Sequence, residues 1–452
     1  MKIIVIGCGK IGVNLIASLV SEGYDVVALD KNAKLVADIT NIYDVMGVCG
    51  NGADSDVLYE AGVKSADMVI AVTASDELNM LSCFIAKKMG AKNTIARIRN
   101  KEYNDNSLGF LKQELELSLC INPELLAARE IYNILKIPSA AKTEKFSVRN
   151  FEMIELKLKE DSPFVNEKIM ELRSKYTAKF LICAVQRGDE AYIPDGNFIL
   201  KAGDKIGVTA SHAEISKLMR EMGMQKSKVR NVMILGGSRI AYYLAKMLTA
   251  TGNTVTIIDK NRTVCEELSQ SLPKAVIVNG DAANQEILLE EGLLSQDAVV
   301  TLTGMDEENI LISSFAASEN VPKVITKANR EELIHLSEHW GLDCFISPKK
   351  LVADVLAQYA RALQNSEGSS VETLYKLMDD KVEALEFSVR QGLSILRIPF
   401  RELKLKPNVL IAGILRNRKP IIPSGDDMLL PDDKVVILAA NQKVKDLSDI
   451  LK

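Results

Sequence analysis

Short apolar runs alternate along this chain with stretches of helical periodicity. Lys2 to Ile6, Asp25 to Leu29, Met68 to Val72 and Thr94 to Ile98 read as buried strands. Strands apolar on both faces and separated by helices predict βαβ units around a parallel sheet. A helix starts near Pro123, and the pattern fades from Pro138 to Asn150, which reads as a linker. A different rhythm follows from Phe151 to Met222: a strand, a helix over Phe164 to Ser174, two strands around Arg187-Gly188-Asp189, a strand at Asp204 to Thr209, and a closing helix. This predicts a small α/β module.

The whole pattern then recurs. Ile4-Val5-Ile6-Gly7-Cys8-Gly9-Lys10-Ile11-Gly12 matches Met233-Ile234-Leu235-Gly236-Gly237-Ser238-Arg239-Ile240-Ala241, 229 residues later, and Asp30-Lys31-Asn32 falls on Asp259-Lys260-Asn261. At a shift of 230, Asp67, Thr73, Asp76, Glu77 and Asn79 meet Asp297, Thr303, Asp306, Glu307 and Asn309. In the small modules Pro194, Gly196, Asp204 and Lys205 correspond to Pro423, Gly425, Asp433 and Lys434. A chain of 452 residues exceeds one ordinary core. The predicted domains are 1–137 and 228–363, both of the parallel-sheet type, with small modules over 138–227 and 371–452. The Ser/Gly-rich stretch Gln364 to Ser370 reads as a flexible linker before the last module.

Gly7-x-Gly9-x-x-Gly12 lies between a strand and a helix, and Asp30 ends the next strand. This is the spacing expected of the dinucleotide cradle of a Rossmann-type domain, with a purely structural strand-to-helix turn as the alternative. Gly7 permits the tight turn, Gly9 lets backbone approach a pyrophosphate, Gly12 allows close packing, and the helix N-terminus attracts the anion. Asp30 is placed to hold ribose hydroxyls, which favours NAD or an adenine nucleotide over NADP. The second copy keeps Gly236 but has Ser238 and Ala241 in place of the other glycines, so a retained shell without the same ligand is the competing reading there. Thr73, at a strand's C-terminal end, is the better contact candidate beside Asp76 and Glu77, which capping explains.

Arg97 and Arg99 alternate along one strand, so their guanidinium groups are expected on one face, where a phosphate or partner carboxylates would relieve their repulsion. A solvated or structural pair is the alternative. The second copy has Lys327 and Asn329 at these places. Asn122-Pro123-Glu124 reads as a helix start, whereas Ser347-Pro348-Lys349 puts a cation where the helix dipole disfavours it and so implies a nearby anion. Tyr132 and Lys136, like Tyr242 and Lys246, copy the spacing of short-chain dehydrogenases, but such i,i+4 pairs are common on helices. His335 and His339 could hold a metal at i,i+4, yet lack a third ligand in view, so no metal site is expected. His212 starts a helix.

Charge excludes one class of partner. The 56 basic and 60 acidic residues are interspersed, leaving no polybasic stretch for nucleic acid. Seven scattered cysteines without a Cys-x-x-Cys pair read as reduced thiols in the cytosol rather than disulfides or zinc ligands. The N-terminal run is too interrupted for a signal sequence, and no apolar run approaches the roughly 20 residues that span a bilayer. Membrane association is therefore expected only through a partner.

Taken together, Val5 to Gly12, Asp30, Gly50-Asn51-Gly52-Ala53, Ala71-Val72-Thr73, Arg97-Ile98-Arg99 and Asn122-Pro123-Glu124 resemble RCK (KTN) domains. Their tandem arrangement, each Rossmann half followed by a small α/β RCK C-terminal domain, is similar to the TrkA family of peripheral Trk potassium-uptake subunits. The resemblance implies a cytoplasmic regulatory subunit that forms a homo-oligomeric ring and docks on a membrane-embedded Trk potassium channel subunit at the inner face of the membrane. NAD(H) or ATP/ADP would bind and gate potassium flux. It places cofactor contacts at Gly7, Cys8, Gly9, Lys10, Ile11, Gly12, Asp30, Asn51, Gly52, Ala53, Thr73, Ala74, Arg97, Arg99 and Glu124. In the second half it places them at Gly236, Ser238, Arg239, Ile240, Asp259, Asp281, Thr303 and Lys327. Residues matching Arg97, Arg99 and Glu124 would meet phosphates, a bridging cation or neighbouring subunits. No catalytic residue is expected. The rival reading is an NAD-dependent oxidoreductase, which needs a positioned proton donor; a scaffold with relic Rossmann halves is the third.

Overall fold

The computed structural model describes residues 1–100, 103, 105–136, 142–145, 151–223, 229–338, 340–342, 344–366, 371–378, 381–417, 419–442, 444 and 446–452. Apolar runs form the two large sheets. Lys2–Ile6, Asp25–Asp30, Met46–Cys49, Met68–Ala71, Asn93–Arg97 and Leu119–Ile121 pair in parallel, in the order 3-2-1-4-5-6 counted along the half. Asn231–Leu235, Thr254–Asp259, Val276–Asn279, Ala298–Thr301, Val324–Lys327 and Phe345–Ile346 repeat that order and direction. Both halves are thus doubly wound Rossmann-type domains, whose strand order reverses beside the first strand and opens a crevice at the strands' C-terminal ends. Burial on both faces explains why these strands are apolar without alternation: the strand from Met68 is buried at every position, as is that from Ala298.

Each Rossmann half is followed by a small α/β domain whose antiparallel five-stranded sheet has the same spatial order in both copies. In the first, Phe151–Lys157, Leu181–Arg187 and Lys205–Ser211 form the centre. Val382–Ser388, Val409–Arg416 and Lys434–Ala440 do so in the second. The helix expected over Phe164 to Ser174 begins only at Ile169 and runs to Lys175. Phe164 is instead fully buried in the preceding turn, stacked on Phe180 at 6.0 Å, so a core aromatic had mimicked helical periodicity. Two linker expectations also change. Lys142–Lys145 is a strand that pairs with Phe151–Lys157, and the helix Pro348–Ser366 takes in Gln364, Asn365 and Ser366. The remainder of both stretches, 138–141, 146–150 and 367–370, lies outside the described residues.

Contacts gather the chain into two compact units. One holds Met1–Tyr132 with Arg230–Ala360, and the other Asn133–Val229 with Arg361–Lys452. Like therefore packs with like. In the second unit, Met153, Cys183 and Ala184 of one small domain share a core with Leu377, Ala384 and Leu438 of the other. Met378 N–H also donates to Glu155 Oε1 at 3.0 Å. Each small domain carries a bidentate ion pair on a buried aspartate, Arg187 with Asp204 (2.7 and 2.8 Å) and Arg416 with Asp433 (3.0 and 2.8 Å), which accounts for the matched aspartates.

The first glycine turn is tight enough to discriminate among its three glycines. A Cβ on Gly12 would lie 1.9 Å from the Gly7 carbonyl oxygen, whereas one on Gly9 would meet nothing within 4 Å. Gly12→Val is expected to lose about 1–3 kcal/mol through overpacking, read as a fall of several degrees in melting temperature. Gly9→Ala should stay within about 0.5 kcal/mol. Equal losses in the two variants would contradict this packing.

Candidate functional site

In the first half, strand Lys2–Ile6 runs into Gly7, whose φ of +102° only glycine adopts without strain, and then into helix Lys10–Ser21. Gly9 is the N-cap, and no side chain caps that helix. Its unpaired N–H groups and positive end face an open position, the arrangement that attracts an anion. The Asp30 carboxylate holds the loop in place: Oδ2 accepts Cys8 N–H at 2.7 Å and Oδ1 accepts Asn32 N–H at 2.9 Å. Each oxygen keeps a second acceptor position for a ribose hydroxyl. Gly52 is buried against Ile6, and Asn51 folds its loop by accepting Ala53 N–H at 3.1 Å. Lys10 is exposed and Ile11 half-buried at the helix start, and Ala74 lies exposed beyond Thr73 on the opposite rim. The Cys8 thiol is pushed up to about 12, by burial first and by Asp30 second.

The opposite rim depends on a residue that the sequence identified only as a repeat marker. Asn79 is fully buried and ties two strand ends together: Oδ1 accepts Thr73 N–H (2.8 Å) and Thr73 Oγ1–H (2.7 Å), while Nδ2 donates to Thr73 O (3.2 Å) and Arg97 O (2.9 Å). Asp76 does not cap its helix as expected. Ser75 does, accepting Leu78 N–H, and Asp76 Oδ2 instead accepts Arg99 N–H (2.8 Å) and Asn100 N–H (2.7 Å). The second half repeats both ties through Asn309 on Thr303 and Lys327, and through Asp306 on Asn329 and Arg330. The sequence signal for them was the match of Asp76 and Asn79 with Asp306 and Asn309.

The two arginines diverge. The strand ends at Arg97, which is buried and donates from Nη1 to Val72 O (3.3 Å) and Thr73 O (3.1 Å). Burial, the neighbouring Arg99 and then Arg239 hold its pKa below the ordinary arginine value, and Nε is a buried donor without a partner. Arg99 instead pairs with Glu124, Nε to Oε1 at 2.7 Å. Lys327 stands in for Arg97 in the second half, bonded to Thr303 O, with its pKa lowered by burial.

The two Rossmann halves meet through these elements. Asn122 Nδ2 donates to Tyr243 Oη at 3.3 Å, and Arg239, at the start of the second half's first helix, acts electrostatically on Arg97. The matching Lys10 lies near Lys349, whose pKa is lowered by burial and then by Lys10, against a raising influence of Asp306. Asp306, which accepts the Asn329 and Arg330 N–H groups, only partly offsets the burial and the repulsion at this cation.

The second cradle is a cavity of about 350 Å³ lined by Gly236, Gly237, Ser238, Asp259, Asp281 and Thr303 among others. Asp259 repeats the staple, accepting Gly237 N–H (2.6 Å) and Asn261 N–H (2.7 Å). Ser238, unlike Gly9, caps its own helix by accepting Ala241 N–H at 3.3 Å, and Ile240 is buried behind it. Among the described residues, no group of three His, Cys, Asp or Glu could hold a metal ion. His335 lies on helix Glu331–Glu338, and His339 falls outside the described residues. No helix of the described residues is long and apolar enough to cross a membrane.

Comparison with known proteins agrees with this architecture. The TrkA-N domain model matches residues 3–110 and 232–348, and the TrkA-C domain model matches 153–223 and 385–452. The chain is 30% identical over its full length, and over the full length of each relative, to Trk system potassium uptake protein TrkA homologues of Methanosarcina mazei and Archaeoglobus fulgidus. The chain belongs to the TrkA family. Vibrio alginolyticus TrkA is 29% identical over 98% of the chain and 96% of that protein. Among solved structures, the GsuK RCK domain superposes with a TM-score of 0.63 at 17% identity, covering 97% of this chain and 92% of that one. The GsuK channel has been solved bound to NAD (TM-score 0.63, 18% identity, covering 97% of this chain and 77% of that one). It has also been solved bound to ADP (TM-score 0.51, 15% identity, covering 81% and 69%).

Cysteine reactivity checks the cradle's geometry. Cys49 is exposed at the end of the third strand, and Cys8 is buried. Iodoacetamide at pH 8 should label Cys49 first and leave Cys8 unmodified until unfolding, because the thiolate is the reactive form. Mass-spectrometric peptide mapping showing Cys8 labelled as fast as Cys49 would contradict the described turn.

Proposed function

We propose that this TrkA-family chain is the nucleotide-controlled regulatory subunit of a Trk-type potassium uptake channel. It would act in the cytoplasm as a ring of RCK domains, peripheral to the membrane through its membrane-embedded partner. The names of its relatives support the potassium role, and NAD and ADP in the GsuK structures support NAD(H) or ATP/ADP as ligand. The domain boundaries follow the sequence reading, with nucleotide-binding domains over 1–137 and 228–363 and small domains over 138–227 and 371–452.

The observation that carries the reading is the uncapped helix N-terminus at Gly9, beside open space in which a Cβ on Gly9 would meet nothing within 4 Å. A pyrophosphate would satisfy the N–H groups of Lys10, Ile11 and Gly12, with ribose hydroxyls on Asp30 and the base between Asn51-Gly52-Ala53 and Thr73-Ala74. Arg97 contributes charge from beneath Thr73, and Arg99 and Glu124 set the field where the halves meet. Binding does work without chemistry if the ligand has different affinity for two arrangements of the ring, which shifts their populations. Supporting the non-catalytic reading, the Cys8 thiol beside the cradle is pushed to about 12, far from the range useful for proton transfer near neutrality.

Calorimetric titration of the full chain with NADH, NAD, ATP and ADP tests the cradle. At least one ligand should bind, and Gly9→Asp, which puts a carboxylate at the phosphate position, should weaken binding at the first cradle by at least 100-fold, about 2.7 kcal/mol. Unchanged binding in that variant would remove the assignment. Steady NADH oxidation on a small carbonyl substrate, abolished by changing Tyr132 or Lys136, would establish the oxidoreductase instead.

A further inference from the structure

The second cradle differs from the first in three ways, all in one direction. First, its helix N-terminus is already partly satisfied: the Ser238 hydroxyl accepts Ala241 N–H, and its Cβ occupies the side from which a phosphate would approach Gly9 in the first half. Second, its lining is more acidic. Asp259, Asp281 and Glu308 line the cavity against one ammonium, Lys260. The matching positions of the first half hold Asp30, Asn51, Leu78 and Lys31, one carboxylate against one ammonium. The nearby Lys327 is committed to the Thr303 carbonyl. Third, Met305 replaces the hydrophilic Ser75 and stands 56% exposed in the cavity wall, an apolar surface suited to the face of a flat ring.

We propose that the second cradle binds a purine nucleoside without a polyphosphate, while the first takes the phosphate-bearing nucleotide. This rests on the reading of both halves as nucleotide cradles and goes beyond it in the ligand of the second. Asp259 accepts the ribose diol on the lone pairs left after the Gly237 and Asn261 bonds, and Met305 flanks the base. Asp281 and Glu308 reject a di- or triphosphate by like-charge repulsion, so selectivity comes from a repulsive element as well as an attractive one. The cavity's 350 Å³ sits near the small end of ligand sites, roughly 300–1,000 Å³. Asp281 also accepts Ala283 N–H at 3.0 Å, a bond that asparagine reproduces, so its charge can be removed without opening the loop.

The test uses the full chain carrying Gly9→Asp, which silences the first cradle, titrated with adenosine, AMP, ADP, ATP and NADH by calorimetry. Adenosine should bind, with ATP and NADH weaker by at least tenfold. Adding Asp281→Asn and Glu308→Gln should narrow that gap about tenfold by improving ATP binding while adenosine binding changes little. ATP or NADH binding as tightly as adenosine, or a gap indifferent to the two neutralised carboxylates, overturns the proposal. If the wild-type chain binds ATP or NADH and the Gly9→Asp chain binds nothing, the proposal falls and the first cradle stands. If the wild-type chain binds none of the five, both fall.

Discussion

Everything at the proposed site depends on one constraint, the sharp passage from the first strand to the first helix of each Rossmann half. Gly7 and Gly236 turn at φ near +100°, and the following backbone N–H is held by a carboxylate from the end of the second strand, Asp30 or Asp259. That staple fixes where the helix starts, and so where its positive end points. Residues that could have been read as ligand contacts alone thus have a prior structural task, and a ligand would use their remaining hydrogen-bonding capacity.

The far rim is built by the same economy of means. Asn79 and Asn309 tie strand ends, Asp76 and Asp306 hold the backbone after the fifth strand, and a cation, Arg97 or Lys327, lies under the rim carbonyls. With these ties repeated, the differences between halves concentrate at the helix N-terminus, in the lining charge and at the rim position held by Ser75 in one half and Met305 in the other. Where the halves meet, Arg239 faces the Arg97, Arg99 and Glu124 group, and Lys10 faces Lys349. Charged side chains of one half thus act on those of the other.

The fold was largely legible because parallel strands buried on both faces leave an unbroken apolar signature, and duplication showed it twice. The glycine turn was equally legible, since its chemistry is local in sequence. What escaped were tasks that join distant elements. Asp76 looked like a cap because it begins a helix, but its partners are Arg99 and Asn100, and no periodicity reports that. Arg97 and Arg99 looked like a matched pair by alternation, yet the strand ends at Arg97, so one is buried under Thr73 and the other turns to Glu124. Phe164 simulated a helical position because core spacing in a turn can imitate it. The packing of like domains with like was invisible for the same reason: it arises between segments more than two hundred residues apart.

In the proposed function, occupancy of the first cradle controls potassium flux. Flux through the membrane partner, reconstituted with the full chain in liposomes and titrated with NADH, NAD, ATP and ADP, tests this most directly. A severalfold change is expected with at least one nucleotide, and it should disappear with Gly9→Asp. Flux indifferent to all four, or the same response from the Gly9→Asp chain, would contradict control through this cradle.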